Sequence, residues 1–229
     1  MTIGGRIATL AVLGGAAYAA RRFYRNWGTT KAECQQRLPG DELVGEPIVQ
    51  ATEAISIDAP PSAVWPWLVQ MGQDRGGFYN HETLGNLTGL RFRNADRIHP
   101  EWQQLAVGDT VRAAPAGWLG YPDGVTYTVA RMAPEQDLVL RAGGSGPPWN
   151  AVWSFHLVGC GEDRSRLIVR LRHGLRHPGE VAGVELIRPA VALGMRAVLR
   201  GIRTRAEQQQ PGPPAPEAPP VGELNESSR

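Results

Sequence analysis

Between Gly108 and Gly174 the chain holds five short segments of alternating apolar and polar residues, and one long helical pattern follows them. GDTVRAA (Gly108–Ala114) is the first. VTYTVARM (Val125–Met132) alternates Val125, Tyr127 and Val129 with threonines. DLVLRA (Asp137–Ala142) is next, then AVWSFHLV (Ala151–Val158), which puts Trp153, Phe155 and Leu157 on one face. SRLIVRLRHG (Ser165–Gly174) puts Leu167, Val169 and Leu171 on one face and Arg166, Arg170 and Arg172 on the other. A period of two marks a half-buried strand. The joining loops are rich in Gly, Pro, Asp and Asn, which favours an antiparallel meander over βαβ units. From Gly183 to Gln208 the period changes. Val184, Ile187, Val191, Met195, Val198 and Ile202 recur at spacings of three and four, with Arg188, Arg196, Arg200, Arg203 and Arg205 mostly off that stripe. One face of the sheet must be covered, and this helix is the only long apolar stripe available.

Upstream, ATEAISIDAPP (Ala51–Pro61) alternates with Ile55 and Ile57 on one face, then stops at Asp58 and two prolines. That is a strand followed by a helix start. Ala63, Val64, Trp67, Leu68 and Met71 continue at helical spacing until Gly72, Gly76 and Gly77 break the pattern. Phe78, Leu84, Leu87 and Leu90 predict a second short helix. The expected fold is therefore α+β and of helix-grip type: a curved antiparallel sheet around a long C-terminal helix, with two short helices after the first strand. It spans residues 49–208. Residues 28–48 are polar and aperiodic and read as a linker. Residues 209–229 hold six prolines between Pro211 and Pro220 and no apolar period, so a disordered tail is expected.

Residues 1–27 differ in kind. Ile7 to Ala20 carries no charge and is followed at once by Arg21, Arg22, Arg25 and Lys31. Fourteen residues rise only about 21 Å, but eighteen, counted from Ile3 with Arg6 snorkelling outward, rise about 27 Å. That is enough for a thin bilayer, with Phe23, Tyr24 and Trp27 as an interfacial belt. A single-pass anchor, a cleaved signal peptide ending at Ala17-Tyr18-Ala19, and a peripheral or soluble amphipathic helix are all open. If the segment is an anchor, the Arg/Lys excess after it puts the domain on the cytoplasmic side.

With 42% hydrophobic and 20% charged residues, the 229-residue chain has ordinary material for one core. A net charge of +2 gives it no bulk electrostatic reason to hold nucleic acid. Cys34 and Cys160 form no CxxC and have no His at ligand spacing, so two free thiols and no metal are expected. There is no GxSxG, P-loop, HExxH or GxGxxG between strand and helix. No nucleotide, zinc or other cofactor is expected.

IDAPPSAVWPWLVQMG (Ile57–Gly72), GGFYNHETLGNLTGL (Gly76–Leu90), NADRIHPEWQQLAVGDTVRAAP (Asn94–Pro115), WSFHL (Trp153–Leu157) and LRGIRTRAE (Leu199–Glu207) occur in an order that resembles the START-like or Bet v 1-like superfamily. The likeness is greatest to its bacterial polyketide cyclase/dehydrase-type (SRPBCC) subgroup and covers roughly Ala51 to Gln208. It implies a pocket between sheet and helix. Members bind sterols, lipids, polyketides and other apolar molecules, and some are cyclases or aromatases. The resemblance brings no catalytic signature that maps residue by residue.

Candidate chemistry is sparse. His81, beside Tyr79 and Asn80, is either a base near a pocket mouth or a surface histidine. Asp96 could orient a ligand hydroxyl, or Asn94 and Asp96 could hold a turn while Arg97 pairs with a carboxylate. His173 follows Leu171 on the inward face and is either a buried polar anchor or a satisfied core histidine. Trp118 and Tyr121 sit in a Gly/Pro loop and are gate candidates. Trp153, Phe155, Val169 and Leu171 on the strands, with Val191 and Met195 on the helix, form the expected apolar walls, and Tyr79 and Asn94 are expected to touch the ligand as well. His156 should face out, and Arg166, Arg170 and Arg172 read as a solvated face or one meeting anionic head groups. The expected function is binding or carriage of an apolar small molecule or lipid, tethered to a membrane. The alternative is a cyclase-like enzyme working by positioning and acid/base catalysis.

Overall fold

The structure, a computed structural model, describes residues 12, 15, 24–80, 89–90, 93–118, 121–142, 150–174 and 178–209, with no side-chain account at 178, 180–182, 184 and 187. In chain order the elements are α1 (Lys31–Gln35), β1 (Val49–Ile57), α2 (Pro61–Val69), β2 (Thr110–Ala114), β3 (Val125–Ala133), β4 (Asp137–Ala142), β5 (Asn150–Gly159), β6 (Ser165–Gly174) and α3 (Pro178–Gln208). Short 3-10 turns occupy Asp41–Val44 and Pro100–Trp102.

The six strands form one antiparallel sheet in the order β1-β6-β5-β4-β3-β2. Each strand of the meander pairs with the next, and β1 closes against β6 with Ile55 opposite Leu167 and Val49 opposite His173. Bulges in β3 between Val129 and Arg131, and in β2 between Arg112 and Ala114, break the register. Such breaks bend strands and increase twist, which lets the sheet curve round a helix. The inner face buries Ile55, Ile57, Leu138, Leu140, Phe155 and Leu167 with Trp67 and Leu68 of α2 and Val198, Leu199 and Ile202 of α3. The helix begins at Pro178, five residues before the apolar period becomes visible at Gly183, and continues through Pro189. Pro suits a first helical position because its missing N–H would be unbonded there anyway.

Three expectations need correction. Residues 28–48 are not a bare linker: α1 and the Asp41–Val44 turn lie on the outer face of the sheet. The arginines of β6 are consequently not a solvated stripe. Arg170 is 1% exposed and donates to Asp41 Oδ2 at 2.7 Å, Thr52 Oγ1 at 3.1 Å and the carbonyls of Glu33 and Gln36. Arg172 pairs with Asp41 Oδ1 at 2.8 Å, and Arg166 with Glu33 at 2.8 Å. His156 points to this outer face but is buried under it, between Asp137 and Ser154. Strand alternation identified the outward side chains, but a polar covering segment has no period to reveal it. Of the second short helix, Phe78 to Asn80 are not helical, and residues 81–88 lie outside the described residues.

The crossing of the Phe78–Asn80 stretch over α3 rests on one glycine. Tyr79 has φ +57°, and a Cβ on Gly201 would stand 2.1 Å from the Tyr79 carbonyl oxygen. Gly201→Ala should gain about 1 kcal/mol of helix propensity and lose more to the clash with fixed backbone, for which overpacking costs of about 1–3 kcal/mol are a lower guide. A net loss of roughly 2 kcal/mol and a Tm fall of about 4–8 °C are expected by thermal melting. A variant as stable as the parent would show that this crossing is not tight.

Candidate functional site

The sheet and α3 part toward the ends of β1 and β6 and leave a cavity of about 170 Å³. Its strand wall is Val49, Ala51 and Glu53 of β1, Tyr127 of β3, and Val169, Leu171 and His173 of β6. Its helix wall is Arg188, Val191, Ala192 and Met195, and Tyr24 contributes from before β1. The parity of the strands explains the list. Val49, Ala51, Glu53, Ile55 and Ile57 share one face of β1, as do Leu167, Val169, Leu171 and His173 of β6. Toward Ile57 that face is filled by α2 and Leu199. Toward Val49 the helix presents the small Ala192 and the chain leaves a gap.

The walls are apolar, with polar groups at separate stations. Glu53 and His173 lie on neighbouring strands four residues apart in register, about 13 Å at a strand's rise, too far to exchange a hydrogen bond. Glu53 is 3% exposed; its Oε1 is 4.0 Å from Arg196 Nε and its Oε2 has no hydrogen-bond partner among the described residues. Burial pushes its carboxyl up to about 8, because Arg196 and Arg188 stand too far off to replace lost hydration in full. Burial, with the charge of Arg188 added to it, holds His173 down at about 4. Both side chains are therefore mostly neutral at pH 7. Arg188 reaches the Gln50 carbonyl at 3.5 Å and lies 3.8 Å from Glu185, which also pairs with Arg25.

Of the residues expected to line the pocket, the structure brings Val169, Leu171, Val191, Met195 and His173 together. Others lie elsewhere. Trp153 and Phe155 sit in the filled core, where Trp153 stacks on Phe78 at 5.7 Å and meets Tyr127 at 5.8 Å between ring centres. Tyr79 is pinned by its hydroxyl to the Trp67 carbonyl at 2.9 Å and lies under Arg205. Asn94 holds a turn, accepting from Tyr79 N–H at 2.7 Å and donating to the Asn80 carbonyl at 2.8 Å. Asp96 is exposed in a separate surface hollow with Arg75 and Trp102. Trp118 and Tyr121 close a local turn and do not reach the cavity. His81 lies outside the described residues. Glu53, Arg188, Val49, Ala51, Ala192, Tyr127 and Tyr24 were not anticipated. Glu53 shares the parity of Ile55 and Ile57, and Arg188 lies four residues from both Val184 and Ala192, so both were within reach of the sequence.

Chains of known structure resemble this one at low identity. A search of solved structures finds the Zhui aromatase/cyclase of Streptomyces sp. R1128 at 15% identity and TM-score 0.44, covering 70% of this chain and 94% of that one. It also finds a norcoclaurine synthase mutant of Thalictrum flavum (15%, 0.41, covering 67% and 93%) and the Aha1 dimer of Colwellia psychrerythraea (14%, 0.42, covering 68% and 97%). No family model and no curated protein matches the chain. The fold is a helix grip. An antiparallel sheet curved round α3 is the arrangement that the sequence resemblance implied.

One further constellation invites a catalytic reading and does not support it. His156 Nδ1 is 2.7 Å from Asp137 Oδ1, and Nε2 is 2.9 Å from Ser154 Oγ. These are the contacts of a nucleophilic serine with its base and orienting carboxylate. Ser154 is 1% exposed on the covered outer face, lines none of the cavities described above, and its hydroxyl contacts the Arg170 carbonyl. With no room for a substrate, the chain of contacts is a buried polar network, in which burial lowers the basicity of His156 more than Asp137 restores it.

Proposed function

We propose that this chain binds an apolar small molecule in the cavity between α3 and the β1–β6 end of the sheet. The single observation behind this reading is a gap between α3 and the sheet lined mostly by aliphatic side chains. About 170 Å³ is close to the volume of apolar cavities, about 150 Å³, that take up benzene. The cavity suits one ring or a short branched chain and is smaller than a sterol site. Fluorobenzene observed by ¹⁹F NMR should show saturable binding. Ala192→Phe, which puts a ring into the gap, should abolish that binding while leaving the melting temperature unchanged or raised. Equal uptake by parent and variant would rule out this cavity.

The same reading places the chain at a membrane through Ile7 to Ala20. Support comes from the uncharged run and the arginines after it; no described helix is long and apolar enough to cross a bilayer. Tyr24, only four residues beyond Ala20, lines the cavity. A bilayer-bound Ala20 would thus stand within about 14 Å of chain length from the pocket wall, a short path for an apolar ligand. Membrane fractionation of the full chain against one lacking residues 2–20 tests this: equal distribution would remove the tether. A second reading, acid catalysis on the bound molecule, has one favouring observation, a Glu53 carboxyl that keeps its proton near neutral pH.

A further inference from the structure

Glu53 lines the cavity, and its buried Oε2 has no hydrogen-bond partner among the described residues. Buried polar groups in folded chains almost always have a partner, and one aimed into a cavity points to a group supplied from outside. The surrounding charges select its kind. Glu53 and Arg188 line the cavity; behind them, among the described residues, stand Arg196 beside Glu53 and the pair Arg25–Glu185 beside Arg188. Among the described residues, even with Glu53 ionised, three positive groups stand with two negative ones. Arg196 is further fixed by the rings of Tyr24 at 5.9 Å and Trp27 at 5.2 Å, so it cannot swing out to water without losing both. A cationic ligand would meet the buried guanidinium of Arg188 with that of Arg196 behind Glu53, whereas an anionic one would be attracted by both.

We infer that the cavity takes a molecule with an apolar body about the size of one ring and a carboxylate at one end, the carboxylate lying against Arg188 and beside Glu53 Oε2. The inference rests on the reading of the cavity as a binding site and names its ligand class. Glu53, carrying its proton near neutral pH, donates its O–H to the ligand carboxylate, a short charge-assisted hydrogen bond. Arg188 supplies the opposite charge, and Val169, Leu171, Val191 and Met195 hold the body. The step is binding only; no bond is made or broken.

Titration calorimetry of the full chain at pH 7 with phenylacetate, 2-phenylethylamine and ethylbenzene tests it. One charge-assisted contact corresponds to about tenfold in affinity or more, so phenylacetate should bind at least about tenfold tighter than ethylbenzene, and the amine weakest. Arg188→Met should remove the preference of phenylacetate over ethylbenzene, and Arg188→Lys, which keeps the charge, should retain part of it. Phenylacetate binding no tighter than ethylbenzene, or an amine binding tightest, overturns the carboxylate assignment and leaves the apolar site standing. Failure of all three to bind overturns both. If Arg188→Met does not fold, the three compounds on the unaltered chain still decide.

Discussion

Asp41→Asn should destabilise the chain by about 3–5 kcal/mol at pH 7, the usual loss when one partner of a buried ion pair is removed. Asp41 is the only carboxylate that the described structure places between Arg170 and Arg172. Its Oδ2 accepts from Arg170 at 2.7 Å and from the Leu38 N–H at 3.0 Å, and its Oδ1 stands 2.8 Å from Arg172. Burial raises its proton affinity, but the Leu38 N–H and the two guanidiniums outweigh that and hold the carboxyl below its usual range. A depressed acid contributes stability above its unfolded pKa and loses it as pH falls through the folded one. The parent should therefore weaken at pH values below about 4, and the variant should show less of that acid loss. Urea unfolding at pH 7 and pH 3 measures both. A cost under 1 kcal/mol would mean that residues 33–44 are not fastened to the sheet. Replacing Asp41, Arg170 and Arg172 together by apolar residues of similar size should recover much of the loss, since no charge is then left without its counterpart.

The second large effect is a fall in stability through neutral pH, caused by Glu53. Its folded pKa, near 8, lies above the ordinary 4.5. The folded state binds the proton more tightly, so stability is full below 4.5 and declines as pH rises toward 8. At 1.36 kcal/mol per unit the decline is about 3 kcal/mol by pH 7. His173 has the opposite sign. Its pKa falls from 6.5 to about 4, so it costs stability as pH drops through that range. The two slopes cancel between about pH 4.5 and 6.5. His156 and Glu33 are lowered as well and act on the acid side, which leaves the window from 6.5 to 8 to Glu53. Unfolding free energies at pH 6, 7 and 8 should fall in the parent and stay level in Glu53→Gln. Parallel slopes in the two proteins would show that Glu53 is hydrated. If the inferred ligand binds, it should also stabilise the parent more at pH 6 than at pH 9, where the Glu53 proton is gone.

How far the sequence reached can be judged element by element. Strand alternation from Val125 to Gly174 and the stripe from Val191 to Ile202 determined the architecture, because a period of two or 3.6 depends only on local geometry and burial. The same parity assigned Val169, Leu171 and His173 to one wall, and it assigned Glu53 too, once its phase with Ile55 is followed. Other features depended on contacts between distant segments. The linker became a cover because Asp41 meets Arg170, 129 residues away. Trp153 and Phe155 share the parity of the wall, yet they fill the core because α2 and Phe78 pack against that end of the sheet. Periodicity tells which side of a strand is buried, not whether the space beyond it is occupied. The sequence by itself therefore determined a sheet gripping a helix with apolar faces between them. Only the tertiary structure decided where those faces fail to meet, and which polar groups, Glu53 and Arg188, line the gap.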